Sequence, residues 1–135
     1  MAQTQSPTKE GYGEMCRLIC GEETVADNAV KSVVCIKTGC TADEDQTYAG
    51  ITKCTETGVS IADADSVVST QTTNPDDTVE VDHVFTAGES VTVLGFGVCN
   101  DANDKLFMLC CFNAGVALET SDTLTIEGKM QIKKD

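Results

Sequence analysis

Eight cysteines, Cys16, Cys20, Cys35, Cys40, Cys54, Cys99, Cys110 and Cys111, are the residues of this 135-residue chain with the widest chemistry open to them. A thiol can ligate a metal, attack an electrophile or pair with a second thiol. Spacing separates these roles. Cys35 and Cys40 stand five apart and Cys16 and Cys20 four apart, so neither pair makes the C-x-x-C knuckle of a zinc ribbon or a redox site. Cys16 and Cys20 would share one helix face, an arrangement weakly suited to a metal. A nucleophilic cysteine needs a base, and His83 is the only histidine. No metal, cofactor or catalytic residue is expected. Packing and pairing remain, because a free cysteine buries as readily as a small hydrophobe.

Cys110 and Cys111 lie side by side in "LFMLCCFN", which reads as a buried strand. Neighbours in a strand point to opposite faces, so the two cannot easily bond to each other. Alternation places Leu106, Met108, Cys110 and Phe112 on one face, and Phe107, Leu109 and Cys111 on the other. Both faces are apolar, so both must be covered. A sandwich covers only the inward one. The outward face is expected under a helix, the N-terminal arm or another subunit. In the last case its thiol would form an inter-subunit disulfide.

Other groups offer less. Asp43–Asp45, Asp63 with Asp65, and the "NDAND" turn at 100–104 bring carboxylates together, but none has the twelve-residue loop of a calcium site. His83 falls on the apolar face of an alternating segment and reads as a hydrogen-bonded structural histidine. There is no G-x-S-x-G motif and no phosphate-binding glycine loop.

The formal charge of −13 argues against nucleic-acid and anionic-membrane partners. No apolar run approaches the ~20 residues of a membrane span. "MAQTQSPTKEG" lacks the apolar core of a signal peptide. Folding is therefore expected in the cytoplasm, where thiols normally stay reduced.

One domain, 1–135, is expected to position these residues. Residues 1–7 read as a polar arm and 8–21 as a short helix, with Tyr12, Met15, Cys16, Ile19 and Cys20 along its apolar stripe. Strands fill 30–134. In "TVEVDHVF", Val79, Val81, His83 and Phe85 share a face; in the last segment Leu124, Ile126, Met130 and Ile132 face inward. Gly95 and Gly97 share one face of "VTVLGFGVC", where another group approaches closely. Short strands separated by turns predict a mainly β fold, an antiparallel β-sandwich or barrel-like domain with one short N-terminal helix.

The C-terminal half, from "VEVDHVFTAGES" through "SDTLTIEGKMQI", resembles a family of short tailed-bacteriophage virion proteins of head-decoration and tail-fibre type. The matching outline is Phe85 to Ala87, Gly97 to Ala102, Leu106 to Phe112 and Ser121 to Ile126, with "EGYGEMCRLICG" similar to the family's opening helix. The resemblance implies a non-enzymatic virion protein, most specifically an external capsid decoration or cement protein. It would bind the major capsid protein or other virion subunits, and a homotrimer is favoured. A tail, collar or neck fibre subunit or adhesin is the nearest alternative, and a small Cys- or metal-dependent enzyme a remoter one. Family members carry few cysteines, so this chain departs there and implies an added redox-dependent feature. A virion assembles in a reducing cytoplasm and meets an oxidising medium after lysis, when thiols at subunit contacts would lock the particle.

Overall fold

The computed structural model describes residues 3–133. Nine strands and two helices follow in the order β1 (Gln3–Pro7), α1 (Lys9–Ile19), α2 (Val25–Asn28), β2 (Val30–Thr38), β3 (Thr52–Lys53), β4 (Ala62–Asp63), β5 (Ser66–Thr70), β6 (Thr78–Thr86), β7 (Val91–Asn100), β8 (Leu106–Leu118) and β9 (Thr123–Gln131). The fold is mainly β, and every strand pairing is antiparallel. The larger sheet runs β1-β8-β7-β2-β3, with β4 also on β2; the smaller runs β5-β6-β9.

The core between the sheets follows the period-two pattern. From the large sheet come Val33, Cys35, Phe96, Val98, Met108 and Cys110; from the small sheet come Val81, Phe85 and Ile126. Val79, Leu124 and Met130 pack at its margin. Ile132 lies beyond β9 and is 65% exposed, so the expected inward run ends one residue pair early.

A second apolar cluster lies on the outer face of the large sheet, built from Val34, Ile36, Ile51, Cys99, Leu106, Leu109 and Cys111. Strict alternation grouped Leu106 with Cys110. The pairing instead steps from Val98↔Met108 to Cys99↔Leu106, a bulge that leaves Phe107 without a Cα partner and turns Leu106 outward. Phe107 is buried under α1 instead.

The N-terminal residues correct two expectations. Residues 3–7 are not a free arm: they pair with β8 from Gln3↔Phe112 to Pro7↔Met108. Polar side chains suffice because the backbone supplies the bonds. The helix is present, but its apolar stripe faces solvent. Gly11 and Glu14 are its buried residues, whereas Tyr12 is 50% and Ile19 85% exposed. The cause is the helix's close seat. A Cβ at Gly11 would stand 2.6 Å from the Phe107 Cα, so glycine must face the sheet. Polar anchors fix the same rotation. The Thr8 hydroxyl caps the helix, accepting from the Gly11 N–H at 2.9 Å, and donates to the Leu106 carbonyl. Glu10 accepts the Leu106 N–H at 2.8 Å.

Candidate functional site

The loop 39–51 crosses the outer face of the large sheet and covers the second cluster with Cys40, Ala42 and Tyr48. Gly95 makes room for it, since a Cβ there would lie 2.7 Å from the Cys40 Sγ and 2.2 Å from the Cys110 carbonyl oxygen. Gly97, on the same face, admits Leu106. The close approach read from these two glycines is this crossing loop and the bulged strand beside it.

Cys111 bonds to Cys40 within the chain, across 71 residues and with Cα atoms 5.7 Å apart. Cys110 points the other way and is fully buried between the sheets. The adjacent cysteines therefore serve two different cores, and neither is presented at the surface for an inter-subunit bond. The outward face of β8 is covered by this chain's own helix and loop.

Helix and loop hold one another. The Lys9 N–H donates to the Glu44 carbonyl at 2.8 Å, and its ammonium pairs with Asp45 at 2.6 Å and Glu44 at 3.3 Å. The Tyr48 N–H donates to the Glu10 carboxylate at 2.8 Å. Lys53 lies 4.2 Å from the centre of the Tyr48 ring and donates to the Tyr48 carbonyl at 2.8 Å.

Three further cysteines, Cys35, Cys54 and Cys99, are buried. Burial pushes the Cys35 thiol up to about 12, with the nearby Cys54 adding to it. Burial, opposed by Lys53 and aided slightly by Glu10, pushes Cys99 up to about 12, and chiefly burial takes Cys54 to about 11. Cys110 rises for the same reason. A thiol held protonated is a poor nucleophile and a poor ligand. These four act as packing groups. Cys16 and Cys20 are exposed on α1 and at its end.

The acidic clusters make local bonds. Asn100, fully buried, accepts from the Asp104 N–H at 3.0 Å and the Lys105 N–H at 3.1 Å, and donates to the Asp104 carboxylate at 2.7 Å. Asp65 accepts the Val84 N–H at 3.1 Å and stands 3.2 Å from His83 Nδ1. That nitrogen makes no aligned hydrogen bond, so His83 is held mainly by its edge-on contact with Phe85 at 4.4 Å. The hydrogen bond expected of this histidine is replaced by ring packing. Asp77 gathers the N–H groups of Thr72 at 2.9 Å, Thr73 at 3.0 Å and Asn74 at 2.9 Å.

One polar cluster escaped the sequence reading. Glu14 is fully buried and pairs with Arg17 at 3.0 Å; Glu23 approaches the same guanidinium at 3.3 Å. A hydrogen bond with Glu14 and then burial raise the Glu23 carboxyl above its ordinary range. The E-x-x-R spacing on one helix was the available signal. The apolar stripe on the opposite side drew attention from it.

Beside α1 an open groove of about 1020 Å³ runs between the sheets, lined by Met15, Leu18, Val67, Val68, Phe107 and Met130 among others. A smaller one of about 320 Å³ lies at Phe96, Phe112, Val116 and Leu124.

Compared with protein-family models, curated proteins and solved structures, the chain matches none.

Proposed function

We propose that this chain is a non-enzymatic structural protein of a bacteriophage virion, most specifically an external decoration or cement protein. It seats on the major capsid protein and on neighbouring copies of itself, as a homotrimer. The observation that carries the reading is the apolar groove of about 1020 Å³ beside α1, open where the edges of both sheets meet. A β-sandwich that leaves such a surface uncovered is suited to receiving a neighbouring subunit. The sequence resemblance of the C-terminal strands to phage virion proteins points the same way. The Cys40–Cys111 bond suits a protein assembled in a host cytoplasm and released into an oxidising medium.

The test is addition of the purified chain to capsid shells that lack it, from the phage encoding it. The expected result is saturable binding with density on the outer shell surface. Density on tail, collar or neck instead would favour a fibre subunit or adhesin. Binding to neither would overturn the virion reading.

A further inference from the structure

The turn after α1 brings a second acid back onto the helix. Gly21, at φ +72°, reverses the chain. Its N–H donates to the Leu18 carbonyl at 3.2 Å, and the Glu22 N–H donates to the Arg17 carbonyl at 2.9 Å. Glu23 thereby returns to the guanidinium that Glu14 already holds. Arg17 Nη2 donates to Glu14 Oε2 at 3.0 Å, and Arg17 Nε stands 3.3 Å from Glu23 Oε1. Each carboxyl then has one oxygen left. Glu14 Oε1 and Glu23 Oε2 are both shut off from solvent, and neither has a hydrogen-bond partner among the described residues.

Two ionised carboxylates can only accept. Held so, the cluster would keep two orphan acceptors and one more negative charge than its single guanidinium cancels. One proton removes both faults, because a protonated carboxyl donates. The geometry also says which acid carries it. Glu14 takes the aligned bond from Arg17, which favours its carboxylate form, whereas the Nε contact with Glu23 is not an aligned hydrogen bond.

We propose that Glu23 keeps its proton in the folded chain and donates it to Glu14 Oε1, so that Glu14, Arg17 and Glu23 form a pH-sensitive clamp that holds the turn at 21–23 against the end of α1. The charged groups around Glu23 are few. Arg17 on α1 and Lys105 just before β8 favour its ionised form, and Glu22 in the turn acts on the Arg17 guanidinium. The bond to Glu14 and burial outweigh the two cations, and the Glu23 carboxyl stays above its ordinary value of 4.5. The clamp is therefore closed in acid. As pH rises through the folded value the proton leaves, two carboxylates compete for one guanidinium, and Glu23, whose side chain is already 28% exposed, moves out to water. The inference does not rest on the virion reading, since the cluster lies within one chain.

The experiment uses the full chain, labelled for NMR and titrated from neutral pH down to 4.5. The side-chain carboxyl carbon of Glu23 is followed, assigned by its loss in Glu23→Gln. Amide exchange protection at Gly21 and Glu22 is followed in the same samples. The Glu23 midpoint should lie above 4.5. Between 4.5 and that midpoint the opening equilibrium should rise about tenfold per pH unit, the slope of one linked proton, and protection should fall with it. In Glu23→Gln the side-chain amide donates at every pH, so protection should no longer vary across that window. Three results would each overturn the proposal. They are a Glu23 midpoint at or below 4.5, wild-type protection that does not change with pH, and a fall in Glu23→Gln equal to that of wild type.

Discussion

Cys111 and Glu23 set what single residues contribute. The Cys40–Cys111 bond closes a loop of 71 residues, which in the chain-entropy account is worth about 4 kcal/mol. Cys111→Ser should lose about that much in denaturant unfolding, and reductant should lower wild type to the same midpoint. An unchanged midpoint under reductant would show that the loop is held by its polar ties to Lys9 and Glu10 alone. Glu23 titrates the other way from most surface carboxylates. Its folded value lies above the ordinary value of 4.5, so the native state holds a proton that the unfolded chain releases. The stabilisation is full below 4.5 and is lost as pH rises through the folded value. Glu23→Gln should flatten the stability profile across that window. Thermal unfolding from acid to neutral pH checks it, and a profile identical to wild type would count against a raised Glu23 carboxyl.

At the scale of elements, the β5–β6 hairpin and its neighbour β9 depend on one turn. Asp77 ends the "NPDD" segment, collects three backbone N–H groups and accepts the Gln131 side-chain amide at 2.9 Å. These donors hold its carboxyl well below the usual carboxylate range. The stability it supplies is present above the unfolded value of 3.8 and is lost as pH falls through the folded one. Asp77→Ala should therefore lower the melting temperature at neutral pH and much less in strong acid. Equal losses at both would assign the effect to backbone propensity. The turn has a local signal in its sequence, Asn-Pro-Asp-Asp at 74–77. β6 and β9 were legible because half-buried strands alternate. The rotation of α1 was not, because Gly11, Thr8 and Glu10 are read correctly only when β8 is known to lie beneath them. Nor was the bulge at Phe107, since it adds a residue without breaking the apolar run that signals the strand.

For the whole molecule, the sequence carried the mainly antiparallel β fold and the opposed directions of Cys110 and Cys111. It did not carry the partner of Cys111, because Cys40 reaches it through a loop whose path is fixed by contacts far away in the chain. Burial divides the six free thiols into two accessible and four enclosed. Brief treatment of the folded, non-reduced chain with a maleimide should modify Cys16 and Cys20. Cys35, Cys54, Cys99 and Cys110 should label only after denaturation, as peptide masses would record. Labelling of Cys110 in the folded chain would mean that the two sheets part readily.

The seat of α1 orders events during synthesis. Thr8 bonds to the Leu106 carbonyl across 98 residues, and β1 pairs with the same strand. Residues 3–19, made well before β8, thus wait for it. Until β8 emerges, the helix sequence has no floor, and the cysteines at 16 and 20 travel with it. The β1–α1 segment is set in place only once β8 is there, like a latch closing over a finished box. A nascent chain stalled before β8 should leave this segment open to proteases and to neighbouring nascent copies.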